Sequence, residues 1–177
     1  MKKLKISKLD AAKRQIETAI RLYFSNADPI SIHTLTMSAY NVLRDLNKNR
    51  GGNPLLGKEL ILDYVKEDKL NEFKKMINKA ENFFKHADKN HEETVDFNPN
   101  QSEFYILEAC WTYYRLSGEF PPLFKLYQGW YIANHQNIFN FPDDQARIIE
   151  SAKIDVINLG REGYFNAMLA NLMRFNP

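Results

Sequence analysis

Apolar residues recur at three- and four-residue spacing along most of the chain, which is the pattern of amphipathic helices. The first apolar stripe covers about residues 8–25, and Ser7 followed by Asp10 predicts a capped helix start there. The second stripe begins at Pro29, a residue suited to the first helical turn, with Asp28 as its cap. These two patterns predict a pair of helices joined by a short turn.

The clearest break in the chain is Arg50-Gly51-Gly52-Asn53-Pro54, a cluster of turn-forming residues. Beyond this break the only strand-like pattern is EETVDF, which is too short to form a sheet by itself. The remaining apolar stripes predict helices at about residues 58–67, 68–87, 98–117, 121–133, 143–159 and 162–174.

We therefore expect residues 1–177 to form a single all-α domain, a bundle of seven to eight helices. A core bundle is predicted at about residues 8–116, with appended helices at about residues 121–177. The hydrophobic content of 44% is sufficient for such a core. No apolar segment approaches the ~18–20 residues needed to cross a bilayer, so we expect no membrane partner and a cytoplasmic location.

The second predicted helix carries an unusual second line of side chains. His33, Met37, Tyr40 and Arg44 follow one another at helical spacing, more than 100° from the apolar stripe. Met37 and Tyr40 are apolar enough to need a cover, for which we consider the C-terminal helices, a second subunit or a ligand. Packing within the chain, with His33 satisfied by a hydrogen bond, is the simplest interpretation. A ligand pocket lined by His33, Tyr40, Arg44 and aromatic residues such as Trp111 is the alternative.

A second polar line lies on the fourth predicted helix, where Lys79, Asn82 and His86 share a side opposite the apolar stripe. Lys85 and Asp88 lie at the same helix end. A histidine with a pKa near ~6.5 can act as a general acid or base, and a lysine can hold a phosphate. An ordinary solvated surface explains the same residues without any ligand.

Other chemistry finds little support in the sequence. The four histidines occur in different contexts, and the HExxH and Glu-x-x-His metal motifs are missing. The Gly51-Gly52 pair lacks the spacing of a phosphate-binding loop, and Cys110 lies in an apolar helix that disfavours a thiolate. One cysteine cannot form an internal disulfide. We therefore predict no metal and no cofactor.

The segment AAKRQIETAIRLYFSNADPISIHTLTMSAYNVLRDL resembles the paired opening helices of HEPN-domain proteins, a similarity that extends over about residues 8–116. Catalytic members of that family carry an arginine, four to six residues and then a histidine on a later helix. Lys79 and His86, with Asn82 between them, resemble this motif, although lysine stands in place of arginine. Because lysine cannot reproduce the planar fork of a guanidinium, the resemblance favours binding over cleavage.

The resemblance implies a homodimer whose polar line faces its partner. Our first hypothesis is a binding or regulatory module that contacts RNA or a nucleotide through Lys79, Asn82 and His86, with Lys85 and Asp88 nearby. The alternatives are a metal-independent ribonuclease with His86 as general acid or base, and a small-ligand protein with the pocket at His33, Tyr40 and Arg44.

Overall fold

The computed structural model describes residues 3–87 and 91–175. All regular secondary structure in these residues is helical, which confirms the predicted all-α class. Three short 3-10 segments occur at Leu60–Tyr64, Glu67–Lys69 and Gln136–Ile138. The six α-helices are α1 (Lys8–Phe24), α2 (Pro29–Asn49), α3 (Leu70–Lys85), α4 (Gln101–Ser117), α5 (Pro122–Asn134) and α6 (Asp143–Phe175).

The two N-terminal helix starts form as their sequences predict. Ser7 and Asp10 make a reciprocal capping box on α1, in which each side chain accepts a hydrogen bond from the backbone of the other residue. Asp28 caps α2 by accepting a 2.8 Å hydrogen bond from the Ser31 amide, and Pro29 occupies the first turn. Local side-chain chemistry therefore sets the start of each of the first two helices.

The helix count of seven to eight is not confirmed among the described residues, for two physical reasons. The segment predicted as a helix at 58–67 forms only a 3-10 turn, because the backbone just before it is held by the side chain of Glu108. The two helices predicted around Gly160 follow each other without a loop within α6, where the non-helical backbone of Gly160 (φ 64°, ψ −176°) separates two helical segments. A glycine in that conformation kinks the helix where an end was expected.

One hydrophobic core unites the N-terminal and C-terminal helices. Ile16 and Phe24 of α1 pack in the same cluster as Phe124 and Tyr127 of α5, all at most 1% exposed, and Tyr164 of α6 joins them. Helix α5 therefore packs into the same core as the N-terminal helices. The reason is that α5 is apolar on nearly all sides and can pack against several helices.

A second, smaller cluster covers the additional line of side chains on α2. Met37 and Tyr40 are 1% and 0% exposed, and they pack with Leu55 and Tyr105. The cover thus comes from the loop after α2 and from α4, within the same chain. Among the described residues, no helix is both long and apolar enough to cross a membrane.

Candidate functional site

The outer face of α3, formed by Lys75, Lys79 and Asn82, is exposed to solvent. These three side chains lie on one side of the helix, opposite the apolar residues that pack inward. His86 does not continue this line, because α3 ends at Lys85 and His86 is its C-cap with extended backbone (φ −133°, ψ 132°). The prediction of a helix to Ala87 is wrong here, and with it the helical register assumed for His86.

His86 nonetheless follows directly after the outer face and is itself exposed. Lys85 points the other way, since its ammonium donates to the buried Glu81 carboxylate at 2.6 Å. Asp88, the last residue predicted at this helix end, lies outside the described residues. Lys79, Asn82 and His86 are therefore all exposed, with His86 beyond the helix end, whereas Lys85 belongs to the inner side.

The inner side of α3 holds a buried ion pair that the sequence did not suggest. Lys58, from the loop after α2, donates to Glu81 Oε2 at 2.5 Å and to Asn78 Oδ1 at 2.7 Å. The other oxygen of Glu81 accepts from Lys85 and from the amide of Asn41 on α2. This network of five side chains connects α2, the loop and α3, although its members lie up to 44 positions apart in the sequence and show no local pattern.

Charge and burial oppose each other in this network. Burial lowers the pKa of Lys58, and its hydrogen bond to Glu81 only partly opposes that effect. Burial would raise the pKa of Glu81, but the hydrogen bonds from Lys58 and Lys85 outweigh it and hold the pKa below its usual range. The carboxylate thus stays ionised between two ammonium groups, an arrangement that orients α3 rather than one that performs acid–base chemistry.

His33 is a packed core histidine. Its Nδ1 shares a 3.0 Å hydrogen bond with Ser102 Oγ, and its ring meets the edges of Phe84 and Phe97. The residue is only 2% exposed, and burial lowers its pKa to about 4. The simplest interpretation of the sequence is confirmed: His33 packs within the chain and its polar atom is satisfied by a hydrogen bond.

Tyr40 and Arg44 have different surroundings from those of His33. Tyr40 is fully buried against Tyr105, with the ammonium of Lys58 5.9 Å from its ring centroid. Arg44 lies at the surface and bonds to its neighbour Asp45. His33 and Tyr40 are thus packed within the chain, whereas Arg44 lies nearer the surface, and a ligand pocket shared by the three residues stays a prediction.

Glu108 anchors the loop that carries Lys58. Its carboxylate accepts hydrogen bonds from the backbone amides of Leu56 and Gly57, and it lies beside the hydroxyl of Tyr40. Burial raises the pKa of Glu108, whereas the two amide hydrogen bonds act in the opposite direction. An isolated glutamate inside the apolar helix α4 was the only sequence signal for this anchor.

A second polar cluster gathers around Glu103 on α4. Its carboxylate accepts from the Tyr23 hydroxyl at 2.8 Å, lies 3.3 Å from His135 Nε2, and is 4.0 Å from Arg161 Nη2. Trp130 Nε1 donates to the Tyr23 hydroxyl at 3.1 Å, and the Arg161 guanidinium lies over the Tyr23 ring. These five residues, which we name the Glu103 cluster, come from four helices and from the loop after α5.

The Glu103 cluster is better suited to holding helices together than to catalysis. Burial and then the negative charge of Glu103 raise the pKa of Tyr23, so its hydroxyl remains a hydrogen-bond donor. The adjoining cavity has a volume of about 70 Å3, which accommodates water rather than an organic substrate. No group of three or more potential metal ligands converges among the residues that the structure describes.

A comparison of the chain with protein-family models, with curated proteins and with solved structures found no match. The fold and the sites define the class: a helical bundle that is all α in its described residues. Its exposed polar face on α3 is backed by a buried ion pair. The function of the chain is therefore inferred from the chemistry of these residues.

Proposed function

We propose that this chain is a HEPN-like helical protein that binds RNA or a nucleotide phosphate through the outer face of α3. One observation carries the proposal: Lys75, Lys79 and Asn82 present two ammonium groups and an amide to solvent on one side of the helix. His86 adds a further polar ring at the helix end. Ammonium groups and amides are the groups that most often contact phosphate and sugar oxygens.

The charge balance of α3 supports this proposal. After Glu72 the only acidic residue of the helix is Glu81, and its carboxylate is buried between Lys58 and Lys85. Glu72 itself lies near the helix start and pairs with Lys69. The exposed part of α3 after Glu72 therefore has positive charge and no exposed carboxylate of its own. Such a local excess attracts a polyanion even though the whole chain carries a net charge of only +2.

The geometry favours binding over cleavage. A general acid or base requires a reacting group and an orienting partner within hydrogen-bond reach. His86 is exposed in extended backbone beyond the helix end, whereas the histidine that is held by a hydrogen bond and packed rings is His33. Lysine at position 79 supplies a point charge rather than the planar fork that arginine offers a developing phosphate charge.

The test is a fluorescence-anisotropy titration of a labelled single-stranded RNA at several salt concentrations. Replacing Lys75 and Lys79 together by glutamine removes two ammonium groups from the outer face without introducing repulsion. We expect weaker binding and a salt dependence whose slope falls by about 0.7 for each lysine that contacts a phosphate. A Lys8→Gln, Lys125→Gln double variant makes the same charge change at exposed positions on α1 and α5.

The outcomes separate the candidate functions. Equal RNA affinity and equal salt slope in the two double variants contradict the proposed surface. Cleavage of RNA in the presence of EDTA that disappears in a His86→Ala variant instead supports a metal-independent ribonuclease. Circular dichroism of each variant verifies that the helical fold is retained.

We also propose that the protein self-associates through an apolar surface beside α3. The HEPN resemblance implies a homodimer too, but one in which the polar line faces the partner. An apolar groove of about 340 Å3 lies beside α3, and its lining includes Ile61, Met76 and Phe104. Met76 is 60% exposed, so a polar replacement there leaves the folded core intact. Light scattering coupled to size exclusion is expected to show a dimer for the parent chain and a monomer for Met76→Lys. A monomeric parent chain at high concentration contradicts this proposal.

A further inference from the structure

We infer that a second anion-binding site lies at the C-terminal end of α2. It occupies a pocket between the loop after α2 and the end of α4. The pocket has a volume of about 370 Å3, which falls at the lower end of the ~300–1,000 Å3 range of small-molecule sites. It is lined by Arg50 and Arg115, by Leu116, and by the loop segment 51–53 together with Asn47. No acidic side chain belongs to this described lining.

Arg50 and Arg115 share a concave surface whose described lining contains no carboxylate. Neither Arg50 nor Arg115 forms an ion pair with a described acidic residue. Burial raises the pKa of the Glu108 carboxyl, and the positive charge of Arg115 acts on that carboxyl in the opposite direction. Like charges that line one pocket disfavour each other, and an anion bound between them offsets that repulsion. Arginine is also the residue whose fork of donors best matches the oxygens of a phosphate group.

Both guanidinium groups are held in place by hydrogen bonds that leave donors free. Arg50 Nη1 donates to the Leu116 carbonyl at 2.8 Å, which satisfies one of the orphan acceptors at the end of α4. Arg115 Nη2 donates to Thr112 Oγ1 at 3.0 Å. Because a guanidinium has five N–H donors, each arginine retains several for a ligand.

The floor of the pocket is also fixed. Asn47 is 5% exposed; its side chain donates to the Asn53 carbonyl at 2.8 Å, and its backbone carbonyl accepts from the Gly52 amide at 2.9 Å. A Cβ atom at Gly52 would come within 2.1 Å of Asn47 Oδ1, so only glycine allows the loop to approach so closely. A loop pinned in this way loses little freedom when a ligand binds, which favours affinity.

The ligand chemistry that fits this site is a phosphomonoester, in which the two arginines hold the terminal phosphate and the rest of the pocket receives the organic group. Such a group occurs both on free metabolites and on the 5′ end of a nucleic acid. The site differs from a glycine-rich phosphate loop, since arginine side chains replace the backbone amides that such a loop uses. It is also independent of the outer face of α3, because the two sites share no residue.

Isothermal titration calorimetry with AMP, adenosine and inorganic phosphate tests the inference on the full-length chain. We expect saturable binding of AMP, no binding of adenosine, and at least about a ten-fold loss of AMP affinity in Arg115→Gln. Arg115→Lys keeps the charge but loses the fork, so an intermediate affinity is expected. Arg115 is exposed and donates to a side chain rather than to the backbone, so its replacement spares the fold.

Arg21→Gln, at an exposed position on α1, is the matched control and is expected to retain the parent affinity. A competition arm with 5′-phosphorylated and 5′-hydroxyl oligonucleotides identifies the source of the phosphate. If the 5′-phosphorylated oligonucleotide displaces AMP better than the 5′-hydroxyl form does, the ligand is the end of a nucleic acid. If both oligonucleotides displace AMP equally weakly, the ligand is a small molecule. AMP binding that is equal in Arg115→Gln and Arg21→Gln, or that is matched by adenosine, overturns the inference even if the lysines of α3 bind RNA.

Discussion

Lys58 and Glu81 form an ion pair with 2.5 Å between Nζ and Oε2, and only 3% and 9% of the two side chains are exposed. One partner belongs to the loop after α2 and the other to α3. The pair therefore fixes the helix whose opposite side carries the proposed binding face. Buried ion pairs of this kind contribute more to the position of an element than to net stability, because desolvation offsets much of the attraction.

The first prediction concerns the two halves of this pair. Glu81→Leu leaves the Lys58 ammonium buried without its carboxylate, so we expect a loss of about 3–5 kcal/mol in the free energy of unfolding. Lys58→Met should cost less, about 1–3 kcal/mol, because Glu81 keeps its hydrogen bonds from Lys85 and Asn41. Urea denaturation followed by circular dichroism measures both values.

The double variant Lys58→Met, Glu81→Leu provides the control for this pair. It removes both charges and replaces them with apolar side chains, so its stability should recover to above that of Glu81→Leu. Additive losses in the double variant would show that the two residues stabilise the fold independently.

The second prediction concerns pH and His33. Its folded pKa of about 4 lies below the unfolded value of about 6.5, so the unfolded chain binds the proton more tightly. The stability from this group is therefore complete above pH 6.5 and is lost as the pH falls toward 4, by about 3 kcal/mol in total. Urea denaturation at a series of pH values between 7 and 4 measures this slope.

His33→Gln removes the titrating group, and we expect its stability to vary less with pH in this range. His86→Gln removes a histidine from an exposed position and serves as the matched control. The interpretation fails if His33→Gln and the parent chain lose the same free energy between pH 7 and pH 4.

The sequence predicts those features of this protein that arise from local chemistry. The caps at Ser7 and Asp28 and the all-helical class follow from side chains that act within a few positions of one another. The exposure of Lys79 and Asn82 likewise follows from helical phase. The pairing of Lys58 with Glu81 was not predictable, since the two residues meet only after α3 folds back onto α2.

The same limit explains why the hydrogen-bond partners of Glu103 and Glu108 were not predicted from the sequence. Glu103 and Glu108 stand out in an apolar helix, but their partners lie on distant segments such as the loop at Gly57 and the kinked helix at Arg161. The spacing of apolar residues identifies which face of a helix is buried. It does not identify the residues of other segments that pack against that face. Arg50 and Arg115 also converge only through tertiary packing.

The third prediction concerns the close approach at Gly57. A Cβ atom there would lie 2.8 Å from Glu108 Oε2 and 2.9 Å from ring carbons of Phe104 and Tyr105. Gly57→Ala must therefore displace the loop or the buried rings, and we expect a loss of about 1–3 kcal/mol in stability. Thermal and urea denaturation both report this change.

Gly51→Ala is the control for this close approach. It lies in open space but has a φ of +70°, so its cost is limited to the backbone strain of about 1 kcal/mol. A Gly57→Ala variant that is no less stable than Gly51→Ala contradicts the tight packing of the loop against α4.

The last prediction concerns the Glu103 cluster, which ties α6 and the loop after α5 to α1 and α4. Glu103→Gln preserves the size of the side chain but removes the charge that Tyr23, His135 and Arg161 approach, so a loss of about 1.5–3 kcal/mol is expected. Glu119→Gln changes an exposed glutamate just beyond α4 and should alter stability by at most about 0.5 kcal/mol.

If Tyr23 and Glu103 act together, the losses in Tyr23→Phe and Glu103→Gln will not add in the double variant, with a coupling energy of about 0.5–3 kcal/mol. Strictly additive losses in this cycle would mean that the 2.8 Å hydrogen bond does not couple the two helices.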